Sequence, residues 1–232
     1  MKKLLSYLII GLFLFSCTTK KEGSLIVKGN IAGLKKGTLY LQKYVDTLLV
    51  AVDSVQLNGN ENFILTDEIE HPEIYFISLD KITDERISFF AEKGEITVTS
   101  KLSKFTLGAK ITGSKTQDLL EEYKAMIQKF NGKQLDLIKE NFEASKNNDT
   151  AKLAEIDVQN NNLLKRKYYF TTNFAVSHGE SEVAPYIALT ELYNANIKLL
   201  DTINNSLSNK VKKSKYGLEL NEFIKNIKKT EQ

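Results

Sequence analysis

The apolar residues of this chain repeat with one period before Gly113 and another after it, and that switch limits the folds open to it more than any other feature. Before Gly113, apolar and polar residues alternate in short runs: SLIVKGNIAG, GTLYLQKYV, LLVAVDSVQLNGNENFILTDEI, EIYFISLD, RISFFAEKGEITVTS and KFTLGAKITG. Val, Ile, Phe, Tyr and Thr dominate them, and alternation in such runs is the signature of half-buried strands. Asn58-Gly59 sits between two apolar runs and predicts a two-residue hairpin, whose central positions favour positive φ. Pro72 separates one strand from the next, and Lys93-Gly94 and Gly108 mark further turns. Short strands at this spacing predict an antiparallel β-sandwich or small barrel over residues 24–112.

After Gly113 the period is helical, over residues 113–232. Ser114 and Gln117 have the spacing of a capping box. Leu119, Leu120, Tyr123, Met126, Ile127 and Phe130 form one stripe, which Leu135, Ile138 and Phe142 continue past Gly132. Asn147-Asn148-Asp149 is a turn, with Asp149 or Thr150 as the next N-cap. A second long helix then carries Leu153, Ile156, Leu163, Leu164, Tyr168 and Phe174 to an end at His178-Gly179. A third begins near Ser181, tolerates Pro185 near its start, and is interrupted at residues 194–196. A fourth begins near Ser214, with Tyr216, Leu220, Phe223, Ile224 and Ile227 inward. The fold class is therefore α+β: a β-rich part, then about four helices packed on one another or on the sheet.

The N-terminus bears on location. Lys2 and Lys3 precede a largely apolar run over residues 4–15. That run is too short to span a bilayer, which takes about 20 residues, and suits a signal peptide. Leu14-Phe15-Ser16-Cys17 resembles a bacterial lipobox, in which cleavage precedes the Cys and its thiol takes a diacylglycerol. The competing reading is an ordinary signal peptide with an incidental Cys. The lipobox reading divides the start of the chain into a leader, residues 1–16, and a lipidated Cys17 with a short tether, residues 17–23. Several acyl chains hold a protein stably where one holds it marginally. Cys17 is the chain's one cysteine, so its lipidation leaves no thiol for redox chemistry, metal binding or a disulfide. The expected location is the cell envelope, the outer membrane ahead of the inner.

Charge narrows the partners. The formal net charge is +3, and removing Lys2 and Lys3 brings the chain close to neutral. Arg occurs at Arg86 and Arg166 alone. Nucleic-acid binding calls for a concentrated basic face, and the sequence offers none. The Lys-rich segments KVKKSK and KNIKK could meet anionic headgroups, but they read first as solvated faces of amphipathic helices.

No catalytic constellation is visible. His71 and His178 are isolated, without metal-ligand spacing to another His, Cys or paired carboxylate. His71 precedes Pro72 at a turn, and His178 stands at a helix C-terminus, where the dipole favours a cation. Asp46, Asp53 and Asp67 lie in or beside strands and read as stabilisers of edges or turns; Asp53-Ser54 has no triad context. Glu121, Glu122 and Glu191 read as helix surface. Gly29, Gly33 and Gly37 are spaced for turns, not for a phosphate loop. Phe89, Phe90, Tyr168, Tyr169 and Phe170 read as core. The expectation is a chain that is not an enzyme, with no cofactor and no metal.

Taken together, the motifs resemble the N-terminal domain of unknown function common in Bacteroidetes-type envelope lipoproteins. The resemblance rests on Gly29 in the first strand, GTLYL from Gly37, Asp53-Ser54, NGNENF from Asn58, Pro72, EKGEITV from Glu92, and Gly113-Ser114 before the helices. KYYFTTNFAVSHGESEVAPYIAL and SKYGLELNEFIKNIKK are similar to the linking region of those proteins. In many relatives a thioredoxin-like domain with Cys-x-x-Cys follows the last helix. This sequence stops at Gln232, so none of those catalytic residues has a counterpart here. The resemblance implies a lipid-anchored binding or accessory module for a partner protein or a ligand. Alternatively, it implies the accessory half of a thiol-disulfide system whose thioredoxin-like part is a separate chain.

Overall fold

The computed structural model describes residues 24–80 and 82–230; Cys17 and the leader before it lie outside the described residues. Among the described residues eight strands come first: β1 (Ser24–Ala32), β2 (Lys36–Val45), β3 (Leu48–Asn58), β4 (Asn62–Glu68), β5 (Glu73–Leu79), β6 (Ile82–Ala91), β7 (Gly94–Lys101) and β8 (Lys110–Thr112). Six helices follow: α1 (Lys115–Lys146), α2 (Thr150–Ser177), α3 (Val183–Glu191), α4 (Ile197–Ser206), the single turn α5 (Asn209–Lys212) and α6 (Lys215–Thr230). The α+β reading holds. The third expected helix is two, α3 and α4, because the Asn196 side chain accepts from the Lys198 amide and starts a new helix.

The strands form two four-stranded sheets, ordered β4-β1-β7-β8 and β3-β2-β5-β6. All pairs are antiparallel except β1 with β7. Leu25, Val27, Ile31, Leu65, Ile96 and Val98 from one sheet meet Leu39, Leu41, Tyr75, Ile77, Ile87 and Phe89 from the other, all buried. This is the sandwich core that strict alternation demands.

The expected hairpin at Asn58-Gly59 does not form. β3 and β4 belong to different sheets, and the turn carries the chain from one to the other. The Gly59 amide donates to Lys35 O, and the Ile31 amide to Glu61 O, so both strand ends anchor the crossover. Leu57 faces inward from one sheet, and Phe63 and Leu65 face inward from the other. Pairing within one sheet would have left those apolar sets on a single layer with nothing to cover them.

Tyr75 and Phe89 point into the sandwich, whereas Ile74, Phe76 and Phe90, one residue away, point outward into the helices. The outer face of the β2–β5–β6 sheet is thus one wall of a second core. Leu120, Tyr123 and Ile127 of α1, Ala175 of α2, Ile187 and Ala188 of α3, Leu200 and Ile203 of α4, and Leu220 and Ile224 of α6 fill it.

The distal halves of α1 and α2 pack on each other through a small separate core of Leu137, Ala144 and Ile156. Leu135, Ile138 and Phe142, read from the sequence as a continuation of the buried stripe, are exposed. With α2 as its neighbour there, α1 turns one narrow strip inward, and the wider stripe suits only its base.

Candidate functional site

Where the two cores meet, charged groups from four strands and helices form a chain. Lys43 of β2 reaches Asp67 Oδ2 of β4 at 2.7 Å, Tyr75 OH at 3.0 Å and Glu73 Oε1 at 3.8 Å. Tyr75 OH donates to the same Asp67 oxygen at 2.6 Å. Lys215, the first residue of α6, binds Glu73 Oε2 at 2.8 Å and the Tyr44 carbonyl at 2.6 Å. Asp67, Lys43, Glu73 and Lys215 therefore alternate in sign from one sheet through the other to the helices. Each charge is partly screened from water and has an opposite neighbour, as buried charges require.

Partial burial raises the Asp67 pKa, but the bonds from Lys43 and Tyr75 outweigh it and hold the carboxyl below its ordinary value. Burial pushes the Tyr75 phenol well up, and its bond to Asp67 adds to the effect. Tyr75 thus stays protonated as a donor. Burial likewise raises Tyr216, whose hydroxyl accepts from the Ile74 amide at 2.9 Å. Neither phenol is available as a base near neutral pH. Burial at the cleft rim also raises the Glu219 carboxyl, against the pull of Lys215.

Beside this chain lies a cleft of about 310 Å³, lined by Tyr44, Asp46, Ile74, Phe76, Tyr186, Lys215, Tyr216 and Glu219. Its walls are aromatic. Tyr44 meets Phe76 edge-to-face at 5.6 Å, and Tyr186 meets Tyr216 at 5.2 Å. Phe90, at 5.3 Å and 5.8 Å from those two tyrosines, holds them from beneath. On the other side of Phe76 a larger depression, about 480 Å³, is lined by Glu85, Arg86, Ser88, Ser103, Lys104, Thr106 and Leu107. Gln42 is the cross-strand neighbour of Phe76, and its Oε1 is enclosed without a hydrogen-bond partner among the described residues. The outer sheet face is therefore a grooved surface with aromatic planes and flanking charges. Apolar area with a few polar groups beside it is the composition that ligand sites share.

The residues weighed from sequence fall as follows. Cys17 lies outside the described residues. Asp53 stitches the sheets, its carboxylate accepting from the Ser54 and Thr66 amides at 2.7 Å each. Asp67 joins the ion chain, and Asp46 forms the β2–β3 turn with φ 52° and lines the cleft. His178 Nδ1 lies 2.8 Å from Phe174 O, and its ring packs 4.3 Å from the Phe174 ring. His71 Nδ1 is buried without a partner among the described residues. Glu191 pairs with Lys167, and Glu121 with Lys124. Phe89 and Phe90 are both core, but of different cores. Tyr169 is exposed rather than core. Among the described residues no three His, Cys, Asp or Glu side chains gather as metal ligands would.

Lys43, Glu73, Tyr75 and Lys215 were not singled out from sequence. Glu73 and Lys215 stand 142 positions apart, and no local pattern marks such a pair.

Residues 25–120 match the family model of a domain of unknown function, DUF4369. The match spans the sandwich and the first residues of α1. Neither a curated protein nor a solved structure matches the chain. No described helix is long and apolar enough to cross a membrane.

Proposed function

We propose that the protein is a non-catalytic, lipid-anchored module of the cell envelope. Acylated Cys17 holds it to a membrane, and the grooved outer face of the β2–β5–β6 sheet receives a partner protein or ligand. The observation that carries this reading is the pairing of Tyr44 and Phe76 over an aromatic-walled cleft, beside charges already committed to one another. Such a surface suits recognition, since aromatic planes offer area and the charges beside them are held by one another. The test is cross-linking in intact cells, followed by pull-down and mass spectrometry, for the native chain and for Phe76→Ala. The reading expects a partner or ligand recovered with the native chain and lost with the variant. Turnover of a substrate by the purified protein, abolished by a change in the cleft, would sink it.

The match to DUF4369 and the resemblance to lipoproteins bearing thioredoxin-like domains favour one specific partner. On that second reading the chain is the accessory half of a thiol-disulfide system supplied in trans. A protein carrying Cys-x-x-Cys should then dominate the recovered set.

A further inference from the structure

The β2–β3 hairpin reaches past the strand beside it. β2 pairs with β5 as far as Lys43 opposite Tyr75, but with β3 it continues to Val45 opposite Leu48. Beside its polar turn, Asp46-Thr47, the overhang exposes two apolar side chains: Leu48 is 69% exposed and Val45 49%. An isolated exposed Leu is unremarkable on a protein surface; an exposed Leu directly across the ladder from an exposed Val at one protruding tip is less so.

The end of the molecule that carries this tip is also the end where the chain enters the fold. Ser24 pairs with Glu68 and Leu25 with Asp67, and the Asp67 carboxylate lies 2.7 Å from Lys43 Nζ. Between Cys17 and Ser24 the chain spans at most about 25 Å when fully extended. A lipid on Cys17 therefore leaves this end no freedom to drift far from the bilayer. Two further groups suit a lipid surface. Lys212 and Lys213 have no carboxylate in ion-pair range among the described residues, and they lie just before Lys215, which binds the Tyr44 carbonyl.

We propose that the tip of the β2–β3 hairpin, at Val45 and Leu48, is a wedge that enters the interface of the bilayer holding Cys17. The proposal rests on the lipid-anchor reading above. On the side where β2 and β3 meet, the tip's backbone groups pair with each other across the ladder, and Lys215 meets the Tyr44 carbonyl. Among the described residues the outer edge of β3 has no strand partner, which confines the wedge to headgroup depth, since unpaired backbone groups are costly in hydrocarbon. Asp46, Glu70 and Glu219 lie toward the same end and offset the lysines, so apolar insertion drives binding and anionic lipid adds little. The wedge fixes the orientation of the molecule: it sets the grooved sheet face upright beside the membrane rather than against it.

The chain contains no Trp, so one introduced residue is a sole reporter. Full-length lipidated Leu48→Trp would be reconstituted into phosphatidylcholine vesicles with brominated acyl chains. Leu107→Trp is the control, since Leu107 is 94% exposed beside β6 and the far end of β7. Both sites are exposed, so both variants should melt with the native chain. The expected result is Leu48→Trp emission reduced to roughly half by the brominated lipid, with Leu107→Trp unchanged. Mass spectrometry of Cys17 is read in the same samples. An acylated Cys17 with an unquenched Leu48→Trp overturns the wedge and leaves the anchor standing; a second copy on the β3 edge would then show as a dimer in sedimentation. Equal quenching of both tryptophans also overturns the wedge, because the molecule would have no preferred end. A Cys17 without acyl chains overturns anchor and wedge together.

Discussion

At the scale of single residues, the motif positions prove to be joints. A Cβ on Gly29 would land on the Val98 carbonyl oxygen, the parallel partner across from it. Gly113 adopts φ 97°, and a Cβ there would meet the Glu95 carbonyl. Glu92 receives the Lys115 amide at 2.6 Å and the Thr116 hydroxyl at 2.7 Å, so a loop residue of the sheet caps the first helix. Asp53 ties β3 to β4 across the sheets. Each residue that carries the resemblance here holds a joint of the fold. Gly29→Ala should cost about 1–3 kcal/mol by overpacking, read as a lower urea midpoint with an unchanged slope. Tyr216→Phe removes the acceptor of the buried Ile74 amide. It should cost about 1–3 kcal/mol, the price of an unpaired buried donor, in the same assay.

At the scale of elements, helix starts were legible because caps are local. Ser114 accepts from the Gln117 amide and Asp149 from the Lys152 amide, as the sequence spacing predicts. The capping box is only half closed: the Gln117 side chain accepts from Phe90 N at 2.7 Å, capping the edge strand β6 instead of its own helix. Strand existence was legible from alternation, but sheet membership was not. Asn58-Gly59 signals a turn, and whether a turn joins neighbours or crosses a sandwich depends on which layer must cover the apolar face. The ion chain was illegible for the same reason, since only Asp67 of its members stood out locally. That chain makes a pH prediction. Asp67 titrates below its unfolded value, so its contribution to stability is present above about pH 4 and is lost as pH falls through the lowered folded value. Asp67→Asn should lower stability at neutral pH and flatten the acid limb of the stability profile below about pH 4. Chemical unfolding of both proteins across a pH series measures it; parallel acid limbs would remove Asp67 from the account. Glu219, held above its ordinary value, acts in the opposite sense and cannot produce that limb.

At the scale of the whole molecule, the change of period at Gly113 divides secondary structure without dividing the packing. Phe89 and Phe90 are consecutive and both fully buried, yet one fills the sandwich and the other the helical core. The shared sheet makes each core a wall of the other. Tyr216, Gln117 and Lys215 add polar ties from the helices to Ile74, Phe90, Glu73 and the Tyr44 carbonyl. Two parts joined by a flexible linker would unfold separately; parts that share a sheet should unfold as one. Phe89→Ala and Phe90→Ala should each cost about 3–5 kcal/mol, and each should shift a single transition. The measurement is urea unfolding followed by helical circular dichroism and, separately, by hydrogen exchange at Val27 and Ile77 in the sandwich. Coincident midpoints in both variants establish one cooperative unit. If Phe90→Ala melts the helices while the sandwich amides stay protected, the sheet stands without its helical cover, and the two cores are separate cooperative units despite the wall they share.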